Sequence, residues 1–598
     1  MDTALDADRT SLAPRVGRLK IGRRLPGVLF SALPVLFLCL FLLYPLARIL
    51  DMGLRPLLMG GAAAVHAAAA TASLGGLLLS SAVQALLSTA LALVCGLPVA
   101  AVFGRWDFPG KSVLRTLLTI PFVLPTVVVS SAFVVLIGSG GWLERLAAVL
   151  TGNPSVEASL MRSLPAVLAA HVFYNMAIVV RIVGGAWASH DTRLVEAART
   201  LGSGRLSTFM RVTLRLLLPS ISASALLVFA FCFSSFGVIL VLGGPRVGTL
   251  ETEIYRQAVY MFNLPAAAIL SVVQLATTAL VMYAYSRIQS RLSVIQNLKP
   301  EGASGKRPRS SGEWLQVFLF GIVPTAALAL PMGALLAGSI LTRVGPSFAY
   351  WRALFGNIGH SLFWSSPVLA AGHSLLFAFQ TMLLSLALGI PAAYLIAQGQ
   401  EARGSVRRIG ASAIDLLFLL PLGTSAVTLG FGFIVSLNAR PFDLRGSAIL
   451  IPIAHSLVAL PLVVRSLLAP LRSINPRLRE SASLLGASPA RVRLEIDLPL
   501  LSRAFVAAAA FAFTVSLGEF GATAILTRPE LITLPVLIYN SLSRPGELNQ
   551  GQALALSVIL MAACAAGLAA IEGFRTRGPR SSGYRSAESS GYRGAEIF

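Results

Sequence analysis

Charged residues are scarce in this sequence. Only 12% of its 598 residues are Asp, Glu, Lys or Arg, whereas about a quarter are charged in an ordinary soluble domain. This shortage, together with a hydrophobic content of 56%, excludes a soluble globular enzyme. The 52 Gly and 33 Pro residues lie inside long apolar stretches, which favours membrane helices over a disordered or collagen-like chain. The composition therefore predicts a polytopic membrane protein.

The residues that build metal, disulfide and nucleotide sites are also few. The six His are scattered, and the four Cys lie in apolar segments without paired spacing, so we interpret the Cys as packing residues. The stretch nearest to a phosphate loop runs from Gly104 to Ser112, but its first Gly is one residue too far from Gly-Lys-Ser and no strand precedes it. We therefore expect no catalytic residue, cofactor, metal site or ATPase within the chain.

Basic residues outnumber acidic ones, and the formal net charge is +23. The Lys and Arg residues form short clusters between apolar segments and no broad stripe with interleaved aromatic residues. This pattern argues against nucleic acid as a partner. It is typical of a membrane protein whose loops are oriented by their charge.

Twelve stretches are long and apolar enough to cross a bilayer, which takes roughly 20 helical residues. Basic residues precede the first stretch, as in a signal peptide, but its apolar run is too long and no small-residue cleavage site follows. We therefore keep it as a retained span. The predicted spans are 26–47, 79–103, 117–137, 164–184, 218–242, 264–286, 315–341, 374–397, 414–437, 447–466, 504–526 and 551–571.

An even number of spans places both termini on one side of the membrane. Of the 48 Lys and Arg residues, 36 then fall on that side and 12 on the other. Because basic residues concentrate in cytoplasmic loops, both termini are predicted to be cytoplasmic.

An internal repeat organises the chain. A shift of 284 residues aligns His171–Tyr255 with His455–Tyr539 without a gap, and 25 of the 85 positions are identical. The chain therefore reads as two fused six-helix halves. We divide it into a cytoplasmic N-terminal tail (1–25), a first transmembrane domain (26–286), a cytoplasmic linker (287–313), a second transmembrane domain (314–572) and a low-complexity C-terminal tail (573–598).

A short helix is predicted in the loop between the fourth and fifth spans of each half. Asp191 or Asn475 can cap its N-terminus, and Gly202 or Gly486 follows its last turn. Each helix carries one apolar stripe at helical spacing, formed by Leu194, Ala198 and Leu201 or by Leu478, Ala482 and Leu485. The helix could simply rest on the bilayer surface. Its recurrence in both halves favours docking to two related partner sites.

These loops carry a motif that reads Glu-Ala-Ala, three residues, Gly, nine residues, Ile, one residue, Leu-Pro. The second half departs from it at Ser481 and matches at Glu480, Ala482, Gly486, Ile496, Leu498 and Pro499. The first half has Arg215 in place of the proline and matches at Glu196, Ala197, Ala198, Gly202, Val212 and Leu214. The doubled motif resembles that of bacterial ABC importer permeases, the inner-membrane components of binding-protein-dependent transport. The resemblance covers nearly the whole chain.

The resemblance implies an all-α membrane protein with twelve transmembrane helices, in two fused type I ABC importer permease domains. It implies that each loop is a coupling helix seated in an ATP-binding subunit, so that two copies of this subunit rock the two halves. An external binding protein, periplasmic or lipid-anchored, would deliver the solute. The chain would then be a multi-pass protein of the bacterial inner membrane, with ATP hydrolysis left to its partners.

Prolines and small polar residues inside spans mark places where helices open around a pathway. The candidate pathway residues are Pro121, Pro125, Thr126, Ser234, Ser235, Pro421, Ser425 and Glu519. Glu519 is ionisable, and an ionisable residue in a span is a functional candidate. A solvated residue near the outer end of its helix is the alternative for Glu519.

The substrate is less well indicated. The segment from Ser235 to Tyr255 looks most like that of thiamine permeases, with ferric-iron permeases next. The segment from Ser516 to Thr523 is also similar to molybdate and sulfate permeases, so it does not indicate a cationic substrate. We predict a permease for a small solute, with thiamine favoured. The alternative is a carrier or channel driven by ion gradients, which would have no use for coupling loops.

Overall fold

The computed structural model describes most of the chain. It covers residues 32–59, 73–138, 140–152, 161–189, 192–244, 247–292, 306–342, 344–356, 365–401, 405–438, 443–444 and 446–576. The N-terminal basic cluster, the predicted cap Asp191, most of the linker and the C-terminal octad repeat lie outside the described residues.

The described chain is almost entirely helical, and the predicted all-α membrane fold is confirmed. Eleven of its helices are long and apolar enough to cross a membrane, and one bent pair of helices makes twelve when counted as one span. Numbered in chain order, spans 1 to 6 are Ala32–Arg55, Leu74–Arg105, Thr126–Thr151, Leu164–Ser189, Arg205–Phe233 and Leu264–Ile288. Spans 7 to 12 are Ser311–Gly338, Pro367–Gln400, the bent pair Arg408–Gly423 and Ala426–Ser436, Leu450–Ser473, Ala490–Gly518 and Glu547–Gly567.

The predicted third and ninth spans are not continuous helices. In the first half, the helix Lys111–Val123 stops before Thr126–Ile137, because Leu124 precedes a proline and takes an extended conformation with ψ of 140°. In the second half the two helices meet at 100°. There the side chain of Ser425 caps the second helix by accepting hydrogen bonds from the backbone N–H groups of Val427 and Thr428.

The predicted fifth and eleventh spans, 218–242 and 504–526, are wrong at both ends. Their helices begin earlier, at Arg205 and Ala490, because the first turns carry arginines that a search for charge-free runs leaves out. They end earlier, at Phe233 and Gly518. The residues that follow form the separate short helical segments Ile239–Gly243 and Gly521–Leu526.

Short elements fill the connections between spans. A two-stranded antiparallel hairpin, Leu341–Thr342 with Gly345–Pro346, lies between spans 7 and 8. The short helices are Trp142–Thr151 within span 3, Thr192–Thr200, Leu250–Tyr255 with the π-helical turn Arg256–Tyr260, Ala349–Arg352, Pro476–Leu484 and Leu534–Leu542.

The first span of each half packs against the opposite half. Span 1 packs against span 9, where a Cβ at Gly432 would lie 3.0 Å from the Cβ of Pro45. Span 7 packs against span 3 in the same way, since a Cβ at Gly338 would lie 2.9 Å from Val135. Only glycine permits such close approach of two helices. Span 1 also packs against span 6 of its own half, where a Cβ at Gly53 would lie 3.0 Å from the carbonyl oxygen of Ala268. The first span of each half therefore bridges to the opposite half, which ties the two repeats into one body.

The largest buried core contains residues of both halves. The buried hydroxyl of Ser557 in span 12 donates a hydrogen bond of 2.9 Å to that of Ser131 in span 3. Of the four Cys, Cys232 and Cys564 are buried, as packing residues should be, whereas Cys39 and Cys95 are exposed on the outside of the helices. Residues of both halves thus share one buried core.

Candidate functional site

The two predicted loop helices are present. They run over Thr192–Thr200 and Pro476–Leu484, and we call them coupling helix 1 and coupling helix 2. The side chain of Asn475 caps coupling helix 2 by accepting a hydrogen bond from the backbone of Arg477.

Both coupling helices end in the same left-handed turn. Gly202 has φ of 83° and Gly486 has φ of 84°, in the region that favours glycine. The N–H of Ser203 donates to the carbonyl of Ala198 at 3.1 Å, and the N–H of Ala487 donates to that of Ala482 at 3.0 Å. These are Schellman caps. The first coupling helix therefore ends as the second does, although Arg215 replaces the proline of the motif.

The surface of both coupling helices is uncovered. Glu196, Ala197, Gly202, Glu480 and Gly486 are exposed, and Ala198 and Ala482 are half-buried. Leucines stand out among them, since Leu201, Leu484 and Leu485 are each 88% exposed. Large apolar side chains this exposed, at equivalent places in both halves, are typical of a surface that contacts another protein or the membrane.

The support behind the two coupling helices differs. Behind coupling helix 2, Arg479 donates to the buried carboxylate of Asp497 at 2.9 Å, and the hydroxyl of Tyr394 donates to the same carboxylate at 3.1 Å. Near coupling helix 1 the ring of Trp187 stacks on that of Phe209, with centroids 6.3 Å apart. The two coupling helices thus expose similar surfaces, but different contacts hold each helix in place.

Several candidate pathway residues meet where the halves touch. Gly518 packs against Pro125 of the opposite half, where an added Cβ would lie 3.2 Å from the proline ring. Gly237 packs against Thr126 and against Phe520 of the opposite half. Pro421 is buried in the turn before the break in span 9, and Pro121 is buried within the last turn before the break in span 3. The broken helices of spans 3, 5 and 11 therefore converge.

An aromatic stack lies on the symmetry axis between the halves. The rings of Phe236 and Phe520 stack with centroids 5.4 Å apart and planes at 19°. These residues are 284 positions apart and thus equivalent in the repeat. Equivalent residues touch each other only at the axis that relates the two halves. Tyr255 and its equivalent Tyr539 flank the stack, with centroids 5.2 Å and 5.4 Å from the respective Phe rings.

Ser234 and Ser235 belong to the first half's side of this region. The Ser234 hydroxyl donates to the backbone carbonyl of Ala230 at 2.9 Å. Ser235 hydrogen-bonds with one ring nitrogen of the buried His171, at 2.9 Å, and the other ring nitrogen hydrogen-bonds with Ser88 at 2.8 Å. His171 is thus a structural bridge between spans 2, 4 and 5.

Glu519 takes the place of Ser235 in the second half. Its carboxylate accepts hydrogen bonds from the backbone N–H groups of Ala522 and Thr523 and from the Thr523 hydroxyl, at 2.8 to 3.1 Å. A ring nitrogen of His455 lies 3.2 Å away. Glu519 is only 8% exposed, so the alternative of a solvated residue at a helix end is wrong. The carboxylate holds the start of the helix Gly521–Leu526 against span 10.

We expect Glu519→Ala to destabilise the protein by about 2–4 kcal/mol, because four polar partners lose their acceptor. Glu519→Gln keeps the side-chain shape and one acceptor oxygen, and should cost about 1 kcal/mol. Thermal unfolding of the purified protein in detergent measures both. Equal stability of the Ala variant and the wild type would contradict the positioning role.

Sequence reasoning missed two buried acids, Asp497 behind coupling helix 2 and Glu251 between the halves. Glu251 lies in the short helix Leu250–Tyr255 and is 0% exposed. Its carboxylate accepts a hydrogen bond of 2.6 Å from Ser425 of the opposite half and one of 2.8 Å from Gln274. It lies outside every apolar run, so a search for ionisable residues within spans passes over it. The signal in the sequence that could have identified Glu251 was an ionisable residue in the loop between two spans.

Comparisons with known proteins agree with this geometry. Residues 92–294, which include coupling helix 1, match the family described as binding-protein-dependent transport system inner membrane component. The thiamine transport system permease protein ThiP of Brucella abortus (strain 2308) is 27% identical over 492 residues, covering 81% of this chain and 84% of that protein. The chain is thus similar to inner-membrane permeases of binding-protein-dependent transport, by the family match in its first half and by relatives that span most of its length.

Other relatives extend the comparison. The ThiP protein of Haemophilus influenzae is 29% identical to the permease over 496 residues, covering 81% of this chain and 86% of that protein. The sulfate transport system permease protein CysT of Salmonella typhimurium is 28% identical over 202 residues, which is 33% of this chain and 70% of that protein. These similarities support a multi-pass inner-membrane transport component and favour the permease of an ABC importer over a carrier driven by ion gradients.

Proposed function

We propose that the permease imports thiamine. The observation that carries this proposal is the extent of the similarity to thiamine permeases, which spans 81% of the chain and so both halves, whereas the sulfate permease matches only 33%. A substrate pathway lies between the two halves of such a chain, so similarity over both halves bears on the substrate more than similarity over one. Ferric iron, the second candidate from the sequence, gains no support from these relatives.

Two copies of an ABC ATP-binding subunit would drive the cycle from the coupling helices. The support for two copies is that both helices end in the same glycine turn and expose the same class of residues. When ATP draws the two subunits together, each would carry its coupling helix with it. The two halves would then rock about the axis marked by Phe236 and Phe520, and ATP hydrolysis would take place on the partners.

An external binding protein would deliver thiamine to the opposite face of the permease. Recognition would then lie mainly in that protein, and the pathway would need only contacts that favour passage. Uptake of labelled thiamine by proteoliposomes that contain the permease, the ATP-binding subunit and the binding protein tests the substrate. We expect a hundredfold excess of unlabelled thiamine to abolish uptake of the label, and the same excess of sulfate or ferric iron to leave it unchanged. Inhibition by sulfate but not by thiamine would contradict the proposal.

We also propose that both termini, the linker and the coupling helices face the cytoplasm, on the basis of the 36-to-12 distribution of basic residues. In a variant without native Cys, a Cys at Ser310 should react with an impermeant maleimide only from the cytoplasmic side. A Cys at the fully exposed Val344 should react only from outside. Labelling of the two positions from the same side would contradict this orientation.

A further inference from the structure

Glu251 is held where the two halves meet. It follows the cap residue Thr249 in the helix Leu250–Tyr255, and its carboxylate bridges Gln274 of span 6 and Ser425 at the break of span 9. Both donors are neutral. The Ser425 hydrogen bond crosses from one half to the other, so movement of the halves apart breaks it and uncovers the carboxylate.

No cation compensates this carboxylate within the described part of the chain. Three acidic side chains are buried there, Glu251, Asp497 and Glu519. Asp497 pairs with Arg479 at 2.9 Å, and Glu519 lies 3.2 Å from His455. Glu251 forms no ion pair with a described residue. A buried acid without a cationic partner is costly, and it is typical of a functional site.

The polar groups around Glu251 are incompletely satisfied. The carboxamide of Gln274 donates to Glu251, but its own oxygen is buried and has no partner among the described residues. The hydroxyl of Thr428, one turn beyond Ser425, is likewise buried without a described partner. Buried acceptors of this kind are rare in native proteins unless something else binds to them.

Aromatic rings lie one helical turn from Glu251. Tyr255 follows four residues later in the same helix, so it lies on the same helical face. Its ring meets those of Phe236 and Tyr260 edge to face, with centroids 5.2 and 5.5 Å away. An acid one helical turn from a group of aromatic rings suits a flat organic cation, which gains from the negative charge and from the rings.

The acidic side chain is present on one side of the axis only. The repeat places Pro535 at the position of Glu251, and the aligned third spans place Pro125 at that of Ser425. The second half therefore has no counterpart of the Glu251 and Ser425 pair. A single charge offers one site, which is what a substrate carrying one positive charge requires.

We propose that Glu251 is a specificity-determining residue that binds the positive charge of the substrate as it passes between the halves. The proposal rests on the proposed transport of thiamine, whose thiazolium ring carries a permanent positive charge. While Ser425 covers Glu251, burial raises the pKa of its carboxyl group to about 8 and favours the protonated acid. When the halves separate, water reaches the acid, which loses its proton to water, loses the bond with Ser425 and gains the cation. The return of Ser425 on closure then releases the cation toward the cytoplasm.

Glu251→Gln tests this in the complete transporter reconstituted with its ATP-binding subunit and binding protein. Glutamine has the same shape and can still form hydrogen bonds with Ser425 and Gln274. The substitution therefore removes the charge but keeps the hydrogen bonds on which a structural role would depend. We expect uptake of labelled thiamine to fall roughly tenfold or more, as is usual when one partner of a close charge pair is lost. ATPase activity stimulated by the binding protein should stay within about twofold of wild type. The midpoint of thermal unfolding should stay within a few degrees of wild type.

Glu253→Gln is the matched control. Glu253 lies in the same helix, but Arg256 donates to it at 2.6 Å, and this hydrogen bond raises the pKa of Arg256 above its usual value. The same substitution there should leave thiamine uptake within about twofold of wild type, because the acid already has a partner. Glu251→Asp keeps the charge, and it should recover a measurable part of the uptake that Glu251→Gln loses.

The outcomes separate the two proposals. Thiamine uptake by the wild type, with Glu251→Gln within about twofold of it, would overturn the role of Glu251 and leave the substrate intact. A parallel loss of thermal stability and uptake in Glu251→Gln, without recovery in Glu251→Asp, would assign a structural role and also overturn the proposal. Absence of thiamine uptake by the wild type would overturn the proposed function itself.

Discussion

Replacement of both Gly202 and Gly486 by Glu should abolish ATP-driven uptake. Each glycine has a positive φ that an L side chain adopts at a cost of about 1–2 kcal/mol. Each also faces open space, so the new side chain projects into the surface that we assign to the ATP-binding subunit. A loss of about 1.4 kcal/mol of docking energy at each of two sites reduces coupling about a hundredfold.

The measurement is thiamine uptake per permease molecule in membranes, with the amount of bound ATP-binding subunit determined by co-purification. Gly312→Glu is the control, because Gly312 also faces open space but lies outside the coupling loops and has no positive φ. That variant should transport as the wild type does. Wild-type uptake in the double Gly202 and Gly486 variant, at normal membrane levels, would contradict the docking role of the coupling helices.

Replacement of both Phe236 and Phe520 by Ala should open a passive leak. The two rings stack on the axis between the halves and are 6% and 3% exposed, so their removal leaves a large gap where the pathway is closed. We expect efflux of thiamine from preloaded proteoliposomes, without ATP, to rise about tenfold or more, because a cavity of two rings is too large to close by relaxation. Concentrative uptake should be lost as a result.

A second aromatic pair provides the control for the leak. Phe122 and Phe231 lie 6.4 Å apart, but they are 46% and 37% exposed and lie away from the axis. Their replacement by Ala removes the same number of atoms without opening the interface between the halves. Equal leak rates in the two double variants would show that the stack at Phe236 and Phe520 does not close the pathway.

The features that could be predicted from the sequence are those that depend on local or repeated sequence patterns. Apolar runs predicted the membrane spans, since the length of a helix that crosses a bilayer is set by the bilayer. The repeat predicted two halves and paired loops. The glycines at 202 and 486 predicted where the loop helices end, because a left-handed residue after the last turn is a local requirement of the backbone.

The features that could not be predicted depend on contacts between distant residues. The prolines at 121 and 125 indicated where the third span opens, but the direction in which the next helix continues depends on what it packs against. Ser425 of the other half covers Glu251, and the residues next to Glu251 in the sequence do not predict this contact. The packing of each first span against the opposite half has the same origin, because it depends on which glycine of one half meets which side chain of the other.

Glu519 illustrates both situations. An acid within an apolar stretch was identifiable as a candidate, but the choice between substrate contact and structural role required its partners. His455 precedes it by 64 residues, and Thr523 follows it in a separate helix that begins only because the chain turns at Gly518. The role of the Glu519 carboxylate thus follows from the geometry of the break after span 11 and not from its position along an uninterrupted span.

The central claim is that this single chain supplies both halves of a permease driven by ATP. Its most direct test is thiamine accumulation in proteoliposomes that hold the permease, its ATP-binding subunit and its binding protein. We predict accumulation that requires enclosed ATP and the binding protein, that persists when ionophores collapse every ion gradient, and that accompanies two ATP-binding subunits per permease chain. Accumulation that proceeds without ATP and stops when the ion gradients are collapsed would contradict the claim.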